Sequence, residues 1–250
     1  MNMRRAFIFV ILAAFAICCA AWAEEPDANA IVKKADDIAN SFKDMSFDMK
    51  MVTRDAKGNE SDTAMTLYQK GPDRLIQFTA PAKDRGVTFL TLGNDENYVY
   101  MPEFKKIRRI ASHVKNQGFM GSDYAYEDMT YLRFGDRYNA RMLDSAGTFY
   151  VMELTPKPGM DVSYSKLVIS VHKENLTTNK IEYYGPGGEK QKVEERTGYQ
   201  QIKGYWFAQG MKIVTLKENH TTDAHMSNPA FDSGLSDELF SQRYLKRPAK

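Results

Sequence analysis

The chain has 250 residues, 43% of them hydrophobic, with 34 Lys+Arg against 32 Asp+Glu and two cysteines. That length suffices for one sizeable hydrophobic core. The near-balance of charge argues against nucleic acid as a partner, because its recognition leaves a clear basic excess.

The first predicted element is a targeting signal. Arg4 and Arg5 precede an apolar run over residues 6–21, and Ala21-Trp22-Ala23 forms an A-x-A site followed by Glu24 and Glu25. This order predicts a secretory signal peptide over residues 1–23, cleaved after Ala23. The run is shorter than the ~20 residues that span a bilayer. Neither Cys18 nor Cys19 follows the small residue that a lipoprotein attachment cysteine needs. Both cysteines leave with the signal, so no disulfide, thiolate metal site or cysteine nucleophile is expected in the mature chain. Loss of Arg4 and Arg5 takes Lys+Arg from 34 to 32, equal to the 32 acids, which makes the product formally neutral. It is expected to be exported and soluble, with residues 24–250 forming a single domain.

The mature chain opens with DANAIVKKADDIANSFKD, residues 27–44. Ile31, Ala35, Ile38 and Phe42 recur at spacings of four, three and four, which predicts a helix with one apolar face and Asp27 or Asn29 as its cap. The period then drops to two. Met45, Phe47, Met49 and Met51 alternate with polar residues, as in a half-buried strand. Residues 55–59 (DAKGN) turn the chain, and residues 63–69 return with Met65 and Leu67 on one face. KGPD at 70–73 turns it again into a strand over 74–79. GVTFLTL (86–92), a turn at GNDEN (93–97) and NYVYMP (97–102) continue the meander. Further strands are predicted over 137–143, 148–154, 165–172, 180–184, 191–197 and 209–216, with a short turn or helix from Ser236. A helix and about ten antiparallel strands allow a sandwich, a closed barrel, or an open curved sheet wrapped on a helix, and sheets of about this size tend to curl. Twelve of the fourteen methionines survive loss of Met1 and Met3. Methionine either fills a core or lines a surface that accepts variable apolar ligands.

Catalytic chemistry is hard to find. The sequence lacks G-x-S-x-G and H-E-x-x-H. The glycines of YGPGGEK (184–190) lack the spacing of a nucleotide loop. His113, His172, His220 and His225 are scattered, and on a strand the last two would face opposite ways. No catalytic residue, metal ligand or cofactor is expected.

The segment YVYMPEFKKIRRIASHVKNQGFMGSDYAYEDM, residues 98–129, resembles the most recognisable stretch of the bacterial outer-membrane lipoprotein-sorting family, whose members are similar to the periplasmic lipoprotein carrier LolA. The likeness extends to the leading helix, GPDRLIQFTAP (71–81), GVTFL (86–90) and SDELFSQRYL (236–245), and so covers nearly the whole mature chain. It implies a mainly β protein: a strongly curved antiparallel sheet, an incomplete barrel, covered by helices. It also implies a periplasmic protein whose concave apolar space holds the acyl chains of a lipoprotein or another lipid, handed from one envelope membrane to another. An inner-membrane exporter and an outer-membrane acceptor are the partners expected on this basis. An accessory subunit of a resistance-nodulation-division exporter, without ligand, and a hydrolase of envelope lipid are the competing readings. The family contributes no catalytic residues.

On these grounds Phe47, Met49, Met51, Met65, Leu67, Ile76, Phe78 and Phe89 are expected to line the cavity. The FMGSDYAYEDM segment is more elaborate than in the lipoprotein carrier. Gly118 and Gly121 mark it as a mobile loop. Ser122 or Asp123 is expected to cap a short helix with Glu127 and Asp128 near its positive end. Phe119 and Met120 then form a lid or rim, unless Phe119 only pins the loop to the sheet. In KKIRRI (105–110), Arg108 and Arg109 are expected to meet headgroups or an acidic partner. The bland account of these charges is an edge strand protected against pairing.

Overall fold

The computed structural model describes residues 26–93, 96–111, 114, 116–130 and 133–247. The signal peptide, the tip of the 93–97 turn and His113 lie outside the described residues. Helix α1 (Ala28–Ala39) starts at Asp27, whose carboxylate accepts the Asn29 N–H at 2.9 Å. Ile31, Val32 and Ala35 form its buried stripe, and Phe42 is buried just beyond its end.

Six strands follow: β1 (Asp44–Arg54), β2 (Glu60–Lys70), β3 (Asp73–Ala80), β4 (Thr88–Leu92), β5 (Glu96–Met101) and β6 (Lys106–Arg109). A long connection leads to the one-turn α2 (Phe134–Arg137). Nine strands complete the fold: β7 (Tyr138–Asp144), β8 (Phe149–Pro156), β9 (Lys166–His172), β10 (Thr178–Tyr184), β11 (Lys190–Thr197), β12 (Gln200–Ile202), β13 (Tyr205–Phe207), β14 (Gly210–Thr215) and β15 (His220–Phe231). Two 3-10 turns, Asp237–Phe240 and Tyr244–Lys246, end it.

Among the described residues, thirteen strands form one sheet in the order β6-β5-β4-β3-β2-β1-β15-β14-β11-β10-β9-β8-β7, and β12–β13 is a separate hairpin. The sheet is antiparallel and curved but does not close, so the expected incomplete barrel is the one observed, and a closed barrel is not. Register shifts interrupt the β1–β15, β2–β3, β7–β8, β9–β10 and β10–β11 ladders. Such bulges bend a strand and deepen its twist.

The register also assigns the two faces. Phe47, Leu67, Ile76, Phe89, Val99 and Arg108 are successive cross-strand partners and therefore share one face. This inner face carries the main core and α1. Tyr68, Leu75, Leu90 and Tyr98 form the matching outer row. There Leu239, Phe240 and Leu245 of the C-terminal turns cover them in a second, smaller core. The tail is thus packed on the outer face rather than across the open side, and α1 and α2 lie on the inner side.

Two strand regions depart from the sequence reading. The β12–β13 hairpin, with Gly204 at φ +89 between its strands, takes up a stretch for which no element is expected. The larger departure is β15, the twelve-residue strand that joins the two halves of the sheet. Its HTTDAHMSNPAF sequence is mostly small and polar, and Asn228-Pro229 reads as a breaker. Pro229 is accommodated because the β1–β15 register slips between Ser46 and Asp48, and Asn228 adopts a positive φ of 53.

Leu245 is fully buried in the small outer core. Leu245→Ala is expected to destabilise the fold by about 3 kcal/mol, read as a lower urea midpoint in a single transition.

Candidate ligand-binding site

The two free edges, β6 and β7, are at opposite ends of the sheet. The chain between them must cross the open side, and it does so through the interior. Gln117 to Tyr126 form a tight hairpin: the Tyr126 N–H donates to the Gln117 carbonyl at 3.1 Å and the Phe119 N–H to the Tyr124 carbonyl at 2.6 Å. Met120 (φ 51) and Gly121 (φ 80) occupy its two turn positions in the left-handed region, the geometry that favours glycine in a two-residue hairpin. This turn corrects the expected helix over the acidic residues. The Ser122 hydroxyl donates back to the Phe119 carbonyl at 2.7 Å, and residues 122–130 form turns.

Phe119 lies only 1% exposed, in an aromatic cluster with Phe89 at 4.7 Å, Tyr126 at 5.4 Å and Phe78 at 5.7 Å between ring centroids. It points into the core rather than over a rim, as in the pinned-loop account, and Met120 is partly buried beside it.

Three acids of the segment fasten it. Asp123 accepts hydrogen bonds from Thr215 Oγ1 at 2.5 Å and Thr222 Oγ1 at 2.7 Å, and its carboxylate is 2.8 Å from His220 Nδ1. Its own N–H donates to Thr222 Oγ1 at 3.0 Å. Glu127 accepts from the Ser163 N–H and hydroxyl at 3.1 and 2.5 Å and lies 3.4 Å from Arg137. Asp128 accepts from the Ala125 N–H at 2.7 Å and the Tyr164 hydroxyl at 3.0 Å, with Lys192 at 3.8 Å. Arg74 of β3 donates to the carbonyls of Met129 and Thr130. Glu194, 1% exposed, accepts from Tyr183 and Arg196 deeper in the same interior. The hydroxyl of Tyr124 is buried with no hydrogen-bond partner among the described residues.

The middle of the concave space is therefore occupied by the protein's own chain and is strongly polar. Open volume remains at its margins. A cleft of ≈ 500 Å³ lies between the β3–β6 end of the sheet, the crossing segment and the loop after β8. That volume falls within the ~300–1,000 Å³ of ligand sites. Ile76, Phe89, Phe119, Tyr126, Met129 and Val162 supply apolar wall, while Arg109, Arg133 and Arg137 alternate with Glu127, Asp136 and Asp161. A second cavity of ≈ 170 Å³ lies beneath α1, with Phe47, Trp206 and Met226 in its wall.

The structure places all eight expected cavity residues on the buried inner side. It brings Ile76 and Phe89 to the larger cleft and Phe47 to the smaller one. Met49, Met51, Met65, Leu67 and Phe78 are packed in the core away from both. Of the basic pair, Arg109 borders the cleft and Arg108 is exposed on β6. Sequence reasoning passed over Met129, Val162, Arg133 and Arg137. No periodicity marks them, because they come from turns and the one-turn α2. Among the described residues no group of three or more histidine, cysteine or acidic side chains is arranged to hold a metal ion, and no helix is long and apolar enough to cross a membrane.

A family model described as "Uncharacterized protein" matches residues 71–247. No curated protein matches the chain. Among solved structures, the chain is similar to an outer membrane lipoprotein-sorting protein domain from Vibrio parahaemolyticus, with 26% identity, a TM-score of 0.80 and coverage of 88% of this chain and 98% of that one. A DUF1329 family protein from Desulfovibrio piger gives 27% identity, a TM-score of 0.80 and coverage of 87% and 97%. A LolA superfamily protein from Nitrosomonas europaea shares the fold at 22% identity, with a TM-score of 0.75 and coverage of 88% and 100%.

Two outcomes follow from the buried acids. Asp123→Ala leaves two threonine hydroxyls and His220 without their acceptor and is expected to cost about 3–5 kcal/mol, with heightened amide exchange in residues 116–130. Burial lifts the Asp128 carboxyl to about 6, against the opposing pull of Lys192, the Ala125 N–H and the Tyr164 hydroxyl. The folded state thus holds this proton more tightly than the unfolded chain does. Its contribution to stability is full at low pH and is lost as pH rises from about 4 to beyond 6. Asp36 behaves alike, lifted to about 6 by burial against the N–H groups of Gly135 and Phe134, and cancels in a comparison between variants. Asp128→Asn should gain about 3 kcal/mol relative to the parent between about pH 4 and pH 7, measured by urea unfolding across that range.

Proposed function

The chain belongs to the family matched over residues 71–247 and is a LolA-like protein of the outer-membrane lipoprotein-sorting group, and on that premise we propose that it is a periplasmic carrier of a lipidic ligand, an acyl chain of a lipoprotein or of another lipid, handed between envelope membranes. The observation that carries this reading is the cleft at the β3–β6 end. It combines an apolar wall with charged groups of both signs, as suits an apolar chain joined to a polar head. Phe119 and Phe89 stand where that wall meets the aromatic core. Rotation of Phe119 would lengthen the apolar trough without breaking the bonds of Asp123. In this reading Phe119 is an inner gate and Met120 its neighbour, not an external lid. Binding is by burial of apolar surface at about 25 cal/mol per Å², and transfer requires only a gradient of affinity from donor to acceptor. The signal peptide expected from residues 1–23 supports the periplasmic location.

One observation favours a second reading, an accessory subunit of an inner-membrane exporter that carries no ligand: the crossing segment already occupies the centre of the concave side. Mass spectrometry of gently extracted protein separates the two. Co-purified acylated molecules are expected, and their absence from native material, together with no uptake of an acyl fluorophore, overturns the carrier reading. Ala111 lines the cleft and is exposed, and Val162 is half-buried in its wall. Ala111→Trp and Val162→Trp are expected to weaken acyl-fluorophore binding at least about tenfold by occupying the cleft, with melting temperatures close to the parent. Parent-like affinity in both folded variants removes the cleft as the site.

A further inference from the structure

We infer that the β5–β6 hairpin is a docking surface for the face of an anionic phospholipid bilayer. Residues 102–105 make its turn, with the Phe104 N–H donating to the Met101 carbonyl at 3.2 Å and the Lys105 N–H to the Pro102 carbonyl at 3.1 Å. Phe104 is 54% exposed, the most exposed large apolar side chain among the described residues. Lys105, Lys106, Arg108 and Arg109 follow it, all exposed, and none of the four forms an ion pair with a described residue. Glu103 is the single acid of the turn.

Protection of the edge strand against pairing accounts for the charges alone. It does not account for a phenylalanine held out in water at the tip. The register adds a second reason. Lys106 pairs with Met101 and Arg108 with Val99 on the inner row, whereas Arg109 pairs with Tyr98 on the outer row. Cations on both faces of one edge strand, with a further one in the turn, converge on a common surface when the free β6 edge and its turn meet that surface together. There Phe104 enters the headgroup boundary while the cations meet phosphate, the arrangement of an interfacial anchor with a basic rim. Arginine forks bind two phosphate oxygens at once.

The rest of the molecule fits that approach. The formal charge of residues 24–250 is zero, so attraction to an anionic surface depends on local charge and orients the molecule. Exposed Arg243 and Lys246 lie on the C-terminal turns, which pack against the outer face of β4 and β5. Arg109, Tyr98 and Asn97 belong both to this hairpin region and to the wall of the ≈ 500 Å³ cleft. Docking by the hairpin therefore brings the cleft mouth to the bilayer. The inference adds a membrane partner to the carrier reading, but the hairpin's affinity for a surface stands without it.

The test is co-sedimentation of residues 24–250 with vesicles of phosphatidylcholine alone or of phosphatidylcholine and phosphatidylglycerol in equal parts, at low and high salt. The parent is expected to bind the anionic vesicles and to leave them as salt rises. Each Lys or Arg near such a surface contributes about fivefold in affinity, so replacing Lys105, Lys106, Arg108 and Arg109 together by Gln should lose on the order of a hundredfold or more. Phe104→Ser should lose about tenfold, and Phe104→Trp should show blue-shifted emission on anionic vesicles. All five side chains are exposed, so urea midpoints should hold at the parent value. Equal binding to both vesicle types overturns the inference. So does parent-like binding by the folded quadruple variant, as does contact of the hairpin with an acidic protein in the absence of vesicle binding. Acyl-fluorophore binding without vesicles reads the cleft separately: a hairpin that fails with the cleft intact, or the reverse, identifies which proposal is wrong.

Discussion

The Asp123 carboxylate holds the architecture in its observed form. A sheet that begins at β6 and ends at β7 obliges the intervening chain to cross from one edge to the other. The short route lies through the concave space, where backbone and acid side chains leave water. Such burial is costly for a charged group unless it finds partners. Asp123 meets that condition at the middle of the sheet, with partners on β14 and β15. Glu127 and Asp128 meet it nearer β7, through Arg137, Ser163, Tyr164 and Lys192. Arg74 of β3 holds the Met129 and Thr130 carbonyls from the other side, so the crossing is laced to both halves of the sheet, and an open thirteen-stranded ribbon gains a fixed curvature.

This lacing limits what the interior can accept. Displacing the whole crossing segment would strip several buried charged groups of their partners at once, each a loss of a few kcal/mol. The aromatic end near Phe119 carries no such cost. Its contacts are ring packing against Phe78, Phe89 and Tyr126, and such packing re-forms readily around another apolar group of similar volume. Adaptability thus resides at the β3–β6 end, and rigidity at the β14–β15 centre.

The fold was largely legible in the sequence because its inner strands obey a period of two. Met45 to Met51 and Met65 to Leu67 alternate with polar neighbours, and the register confirms that they share a face. Alternation assigns a face, however, and not a cavity. It cannot distinguish Ile76, which reaches the cleft, from Leu67, which is sealed in the core. β15 was not legible for the opposite reason. A central strand whose inner positions include Thr222 and Ala224 lacks the apolar signal, since one of its inner side chains bonds to Asp123 instead of packing. The acids of 123–128 gave a correct hint of structural roles and a wrong geometry. A cap for a helix and an acceptor for buried threonines require the same residue types, and only partners a hundred residues away decide between them.

The distribution of methionine follows from the same division. Met49, Met51 and Met65 are buried against one another's strands at the sealed side, where their flexibility fills the gaps left by bulged ladders rather than a ligand, and Met226 is buried in the wall of the small cavity beneath α1. Met129 and Met160 belong to the cleft wall, the former buried and the latter 47% exposed. A flexible thioether at a solvent-facing wall accepts chains of differing shape at little strain. Composition alone counts all of these residues as equivalent. Their placement assigns most to the core and only a few to the cleft wall, so in the carrier reading breadth of ligand choice rests on the loop after β8 and the end of the crossing segment rather than on the methionine-rich strands.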